Sequence, residues 1–242
     1  MIMPNQKEIK IESGVCLSEW NGDFDFSHLH SMKKSFCVLR ICQIDCRTGT
    51  IWIDNRFKEY ANACNELSIP WVGYIYLQYK DSNIGDALSN IPYLPNHAVW
   101  DMFNDVKFGL PYITFIFNFD LPDFDLPSLD YGVNMLEKAI APNTDKKLTT
   151  CVGVCGLIAE LSTHSQFKYP LYTEVYLPNN CKSFSVPNNA ILCWCGDATP
   201  TPAYSASPAD GKIEITKNEI GLDSIVALGE LAEAIRNYGG VE

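Results

Sequence analysis

Three runs of this sequence, FCVLRICQI (36–44), IPWVGYIYLQ (69–78) and PYITFIFNFD (111–120), are apolar almost end to end and rich in β-branched and aromatic residues. A strand with one wet face alternates polar and apolar residues. A strand covered on both faces does not, and continuous runs of this kind belong to parallel sheets packed between other layers. Helix-like segments separate them. The clearest is NRFKEYANACNELS (55–68), which places Phe57, Ala61, Cys64 and Leu67 on one apolar stripe. Other segments read as strands are GVCLSEW (14–20), YPLYTEVY (169–176), NAILCWC (189–195) and KIEIT (212–216). Segments read as helices are HLHSMKKS (28–35), AVWDMFNDV (98–106), LDYGVNMLEKAIA (129–141), CVGVCGLIAELSTHS (151–165) and LDSIVALGELAEAIRNYGG (222–240). The Pro-, Asn- and Ser-rich stretches 80–97 and 196–211 read as surface loops. Strands alternating with helices predict an α/β fold with a parallel sheet. No G-x-G-x-x-G or G-x4-G-K-[ST] phosphate loop is present, so a (β/α) barrel is favoured over a nucleotide-binding doubly wound sheet.

In a barrel of this type chemistry sits at the C-terminal ends of the strands. Those ends carry Cys16, Ser18 and Glu19, then Gln43 and Asp45, Tyr76 and Gln78, Asn118 and Asp120, Thr173 and Glu174, and finally Cys195 and Asp197. Strand alternation puts Asn118 and Asp120 on one face.

Charge narrows the partners. The net charge is −11, and no basic run exceeds Lys33-Lys34 or Lys146-Lys147, so neither nucleic acid nor an anionic membrane is an expected partner. No run reaches the roughly 18 apolar residues of a membrane span. MIMPNQKEIKIES has no apolar stretch of signal-peptide length. The expectation is synthesis in the cytosol, with a virion or cell-wall location reached by lysis or assembly. Of the ten cysteines, Cys37, Cys42, Cys64, Cys151, Cys155 and Cys193 lie in apolar runs and read as small buried hydrophobes in a reducing compartment. Cys42-x3-Cys46 and Cys193-x-Cys195 lack the paired Cys-x2-Cys spacing of structural zinc, so no metal and no cofactor is expected.

Several segments resemble the family-25 glycoside hydrolases, the lysozyme or muramidase family. GVCLSEWNGDFDF is similar to that family's first-strand pattern G-[IV]-D-[VL]-S-x-[WHY]-x-G-x-[IV]-[DN]-[WF], and FCVLRICQ resembles its second strand. IDNRFKEYANACNELSIPWVGYIYL resembles its D-x-x-F-x-x-N-x-x-x-A-x-x-x-G-[IL]-P-x-G-x-Y-[HY] segment. YPLYTEVY and AILCWCGD are similar to two later strands. The resemblance runs in order over roughly residues 14 to 200 and is strongest over 14–78. It implies an irregular (β/α) TIM-like barrel in a single domain. The expected organisation is an N-terminal arm (1–13), the barrel (14–221) and a C-terminal helix (222–242).

The resemblance also implies where catalysis would sit. The family carries D-x-E at the end of the fourth strand, with the Glu as general acid and the Asp positioning the substrate's acetamido group. A further Asp stands on the first strand. Here Asn118 occupies the Asp position, Asp120 the Glu position and Cys16 the first-strand position. Glycoside hydrolysis commonly uses two carboxyl groups about 5–9 Å apart, one of them kept protonated. An amide cannot balance charge developing on the ring, and Asp reaches one methylene less far than Glu. Misplacement by about 1 Å costs on the order of a hundredfold. The chain therefore reads as a family-25-like barrel that has lost muramidase activity and serves as a peptidoglycan-binding, amino-sugar-binding or structural module.

Two alternatives stay open. One is an altered muramidase with Asp120 as acid and a rewired carboxylate from Glu19, Glu174 or Asp197. The other is a structural barrel whose cleft is taken up by a protein partner in an assembly. Cys16 as a nucleophile lacks a suitably placed base, because His28, His30, His97 and His164 fall in helix-like or loop segments. Trp20, Tyr76, Gln78, Tyr172 and Trp194 are the residues expected to contact sugar, the aromatic ones by stacking on pyranose faces.

Overall fold

A computed structural model describes residues 11–32, 34–45, 48, 50–78, 106–118, 130–131, 133–134, 137–138, 149–155, 169–174, 183–186, 190–196, 198–202, 211–217 and 224–239. In chain order the described strands are β1 (Ile11–Leu17), β2 (Phe36–Asp45), β3 (Thr50–Ile53), β4 (Trp71–Gln78), β5 (Tyr112–Asn118), β6 (Thr149–Cys155), β7 (Leu171–Glu174), β8 (Ser183–Val186), β9 (Ala190–Gly196), β10 (Ala198–Pro202), β11 (Gly211–Lys217) and β12 (Ser224–Leu228). Helix α1 spans Phe57–Glu66 and helix α2 spans Gly229–Arg236.

Eight of the strands close into a ring in the order β1-β2-β4-β5-β6-β7-β9-β12, with β12 returning to β1. Neighbours are parallel from β1 round to β9, and β12 runs antiparallel to both β9 and β1. The three continuous apolar runs are β2, β4 and β5, side by side in the ring, and both of their faces are covered. On the outer face, Leu17, Leu39, Ile75, Leu77 and Phe115 join Phe57, Tyr60, Ala61 and Cys64 of α1. On the inner face, Val38, Val72, Tyr74, Ile116, Cys151, Leu192, Ile225 and Ala227 form a second cluster. The α/β barrel read from the sequence is thus present. The hairpin strand β3 lies antiparallel on β2, and β10, β11 and β8 form a separate three-stranded sheet.

Helix α2 covers one end of the ring. Its Leu231, Ala232 and Ile235 are buried in the cluster that holds Phe36, Leu110 and Ile191, all at or next to the N-terminal ends of strands. Arg236 pairs with Glu12 and donates to the Ile11 carbonyl at 3.0 Å, which ties α2 to β1. The strand C-termini form the other end.

Several boundaries differ from the sequence reading. Strand β1 starts at Ile11 and pairs with β12 from that residue, so 11–13 belong to the barrel rather than to an arm. Residues 18–20 leave the strand and enter a 3-10 turn at Glu19–Asn21. The helix expected over 28–35 is a single 3-10 turn, Phe26–His28, capped by Asp25, followed by turns. The first residues of the segment read as a helix over 151–165 are strand β6, where Cys151 and Val152 serve opposite cores. The helix expected over 222–240 is divided: Ser224–Leu228 is the strand that closes the barrel, and α2 begins only at Gly229, whose φ of +55° breaks the strand. The β-rich IVAL core of that segment is as apolar as a helix face, so periodicity alone did not separate the two. The stretch 196–211 read as a loop contains β10, and KIEIT forms β11 in the side sheet. Leu67, expected on the α1 stripe, is the C-cap residue and is 53% exposed. Described residues between 130 and 138 are helical, in agreement with the reading there. The segments 79–105 and 156–168 lie outside the described residues, and with them most of the helix read over 98–106 and the loop read over 80–97.

The end of α1 carries one strained residue. Ser68 adopts φ +53°. Its N–H bonds the Asn65 carbonyl at 3.2 Å and the Ile69 N–H bonds the Cys64 carbonyl at 2.7 Å, which is a Schellman closure. That position favours glycine, and the family pattern has glycine there. Ser68→Gly is expected to raise Tm by roughly 2–4 °C, as about 1 kcal/mol of left-handed strain is relieved. Thermal unfolding followed by circular dichroism measures it. An unchanged or lower Tm would mean that the hydroxyl offsets the strain.

Candidate functional site at the strand C-termini

The side chains at this end are organised by Arg40, the one charged residue inside the apolar run of β2. A register shift between Arg40 and Cys42 makes a bulge at Ile41. Ile41 turns to the outer core and its carbonyl accepts from the Asp54 N–H at 3.0 Å. Gly73 makes room for it, since a Cβ there would lie 2.6 Å from Ile41 Cδ1. Arg40 stays level with Tyr74 on β4. Its guanidinium donates from Nε to Asp54 Oδ2 at 2.8 Å and from a terminal nitrogen to Glu19 Oε1 at 3.1 Å.

Asp54 has no exposed side-chain surface and accepts two further bonds, from the Glu19 N–H at 2.9 Å and the Arg56 N–H at 3.0 Å. Glu19 Oε2 also accepts from Asn55 Nδ2 at 3.0 Å. The segments that follow β1 and β3 are thereby stapled together through β2. Arg40 brings one positive charge against two carboxylates, so Glu19 acts here as an ion-pair partner of Arg40 and Asn55.

Cys16 is half-buried and belongs to the inner cluster. Its thiol is hydrogen-bonded to the Tyr74 hydroxyl. Burial pushes the Tyr74 phenol well above its ordinary range, Cys16 adds to the rise, and Arg40 opposes it in part. The phenol is a neutral hydrogen-bonding group. The first-strand position that holds an acid in the family pattern is here a thiol–phenol pair.

The ends of the parallel strands align in register. Asp45, Gln78, Asn118 and Cys155 are successive partners across β2, β4, β5 and β6. Asn118 is the last residue of β5, two beyond Ile116 of the inner cluster. Asp45 Oδ1 accepts from the Thr48 N–H at 3.3 Å at the β2–β3 turn. Tyr172 is level with Gly153 and Leu192, and Glu174 with Trp194. For Gln78, Asn118, Tyr172 and Glu174 only the backbone is described; Asp120 and Asp197 lie outside the described residues. Trp20, on the turn after β1, is 82% exposed. Tyr76 and Trp194 are half-buried against the inner cluster.

Sequence reasoning missed Arg40 and Asp54. A lone arginine in a continuous apolar strand was the available signal, because a charge buried there requires a partner. The cysteine reading fares better. Cys37, Cys42, Cys64, Cys151 and Cys193 are buried. Burial pushes the Cys42 thiol up to about 12 and raises Cys37 and Cys151 as well, so these are protonated hydrophobes and not nucleophiles. Among the described residues no group of three or more His, Cys, Asp or Glu is placed to hold a metal ion.

No family model and no curated protein matches the sequence. Solved structures do match. The catalytic domain of the endolysin ply40 from bacteriophage P40 of Listeria monocytogenes superposes with TM-score 0.58 at 13% identity, over 93% of this chain and 97% of that one. A family 25 glycosyl hydrolase from Bacillus anthracis gives TM-score 0.53 at 16% identity, over 94% and 93%. The modular autolysin LytC from Streptococcus pneumoniae, solved with a synthetic peptidoglycan ligand, gives TM-score 0.50 at 10% identity, over 89% of this chain and 46% of that one. The fold, a mixed α/β barrel with few helices, is that of the family-25 glycoside hydrolases, whose motifs β1, β2, α1 and β4 resemble.

Proposed function

We propose that this protein binds an amino-sugar glycan of the peptidoglycan type at the C-terminal end of its barrel and does not hydrolyse it efficiently. The observation that carries the reading is the chemistry of two family acid positions. Cys16 is bonded to the neutral Tyr74 phenol, and β5 ends on the amide Asn118 level with Gln78. Two of the three positions at which the family carries acids hold hydrogen-bonding groups instead, so Asp120 at the general-acid position stands without the carboxylates that would balance ring charge. Trp20, fully presented on a turn held by the Arg40 staple, offers a stacking face. The fold neighbours include an endolysin and an autolysin with peptidoglycan bound, which supports the ligand class and a wall-associated or phage setting.

The test uses purified peptidoglycan across a range of pH. Pull-down of wild-type protein without release of soluble sugar is the expected result. Trp20→Ala should reduce retention by about tenfold, the equivalent of ~1.4 kcal/mol of stacking, with Tm unchanged because the side chain is exposed. Sugar release abolished by Asp120→Ala would establish an altered hydrolase instead. Neither release nor retention would leave a structural barrel.

A further inference from the structure

The large apolar side chains that stand out into solvent among the described residues are Trp20, Trp52, Leu67 and Tyr131. Leu67 ends α1, and Tyr131 lies on the helical segment between β5 and β6. Trp52 is 48% exposed and lies on β3. The core does not need its ring, because Ile51 and Ile53 supply the buried face of that strand. Where β3 sits decides what an indole there can meet.

Strand β2 has β4 along one edge. Its other edge is shared. β1 pairs with Phe36–Leu39, and β3 pairs with Cys42–Asp45. β3 therefore continues the barrel wall past the point where β1 leaves it, on the C-terminal side. Its two faces are distinct. Ile51 and Ile53, with their cross-strand partners Ile44 and Cys42, pack in the outer core. Alternation turns Trp52 to the opposite face, beside its partner Gln43. Gln43 is level with Tyr76, which packs on the inner cluster. The row Trp52, Gln43, Tyr76 thus runs along the wall of the mouth. Trp52 also stands two residues, about 7 Å of strand, before Asp54. The Asp54 carboxylate accepts from the Glu19 N–H at 2.9 Å, which pins the turn carrying Trp20 to the end of β3. Both exposed tryptophans therefore belong to one rim.

We propose that Trp52 is a second sugar-stacking residue, so that the mouth takes an amino-sugar oligosaccharide laid along the rim from Trp20 over Trp52 toward Tyr76, rather than a single ring. This rests on the glycan reading of the mouth and adds the length of the ligand to it. An indole offers a flat apolar face to a pyranose and keeps a hydrogen-bond donor at its edge. Two stacking faces on separate segments act together only when one ligand reaches both, so affinity rises with chain length.

The probes are N-acetylglucosamine oligomers of two and four rings, titrated calorimetrically into the full-length protein, with purified peptidoglycan pull-down alongside. The tetramer should bind about tenfold more tightly than the dimer, the gain expected of one added stacking contact. Trp52→Thr removes the ring and keeps a good strand former, so the hairpin should stay folded. It should abolish the gain with length and lower peptidoglycan retention by about tenfold. Trp52→Tyr, which restores an aromatic face, should recover most of both. Tyr131→Ala removes an equally exposed ring outside the rim and should change neither. In the wild type, the tetramer should shift the Trp52 indole N–H resonance, assigned by its disappearance in Trp52→Thr. Equal affinity for dimer and tetramer, an unshifted Trp52 resonance at saturation, or unaltered retention in folded Trp52→Thr would each overturn this assignment and leave the glycan reading standing. Binding of neither oligomer together with no retention of peptidoglycan would overturn both.

Discussion

Replacing Asp54 by alanine is expected to cost about 3–5 kcal/mol, because it removes one partner of a buried charge pair. Three hydrogen bonds disappear together, from Arg40 Nε, the Glu19 N–H and the Arg56 N–H. Among the described residues, the guanidinium then keeps the partly exposed Glu19. Chemical denaturation with a two-state fit measures the loss. Arg40→Met should be similarly damaging, since it leaves the Asp54 carboxylate buried. The double variant Arg40→Met/Asp54→Leu should regain much of the stability, because an apolar pair has no charge to desolvate. Glu19→Gln should cost no more than about 1 kcal/mol, as the pair it breaks is partly screened by water. A loss for Asp54→Ala no larger than that for Glu19→Gln would contradict this account of the staple. The consequence for function is local: with the staple broken, Trp20 loses its fixed platform, and peptidoglycan retention should fall even at temperatures where the barrel stays folded.

Trp71→Ala should cost about 3–5 kcal/mol and lower Tm by roughly 10 °C. Trp71 is the first residue of β4 and is fully buried. Its ring stacks on Phe108 at 5.4 Å and meets Phe57 of α1 edge-on at 5.8 Å. Its indole nitrogen donates to Asn65 Oδ1 at 2.9 Å, and Asn65 in turn donates to the Lys107 carbonyl. One side chain therefore joins α1, β4 and the segment entering β5. Trp71→Phe keeps most of the ring packing and loses the hydrogen bond, so it should cost about half as much. Equal losses for the two variants would show that the hydrogen bond dominates over the volume. Glycan retention should be unchanged in Trp71→Phe, because the residue stands at the opposite end of its strand from Tyr76 and Gln78.

The strands with continuous apolar runs were legible because a doubly covered strand has no alternative use for that composition. Phe36–Asp45, Trp71–Gln78 and Tyr112–Asn118 were placed within a few residues. Helix α1 was legible because its stripe repeats at helical spacing and its neighbours are polar. The segment 222–240 was misread because SIVAL and ELAEAI are both mostly apolar, and only pairing of Val226 with Ser13 and Cys193 distinguishes a strand from a helix there. The segment at 149–155 was misread for the same reason. Two glycines weakened the helix there, but its neighbours β5 and β7 decided the matter.

What the sequence determined by itself is the barrel and the residue types at its strand ends. Covalent alternation fixes which residues share a face, and residue type fixes what they can protonate, so Asn118 and Cys16 stand as an amide and a thiol whatever surrounds them. What only the tertiary structure decided is which polar groups meet. Arg40, Asp54 and Glu19 are separated by up to 35 residues in the chain and come together because a bulge at Ile41 turns β2 and a hairpin brings β3 alongside it. Contacts between distant segments depend on register and closure, and those are properties of the folded ring, in which the loop entropy is offset by the pairing of all eight strands at once.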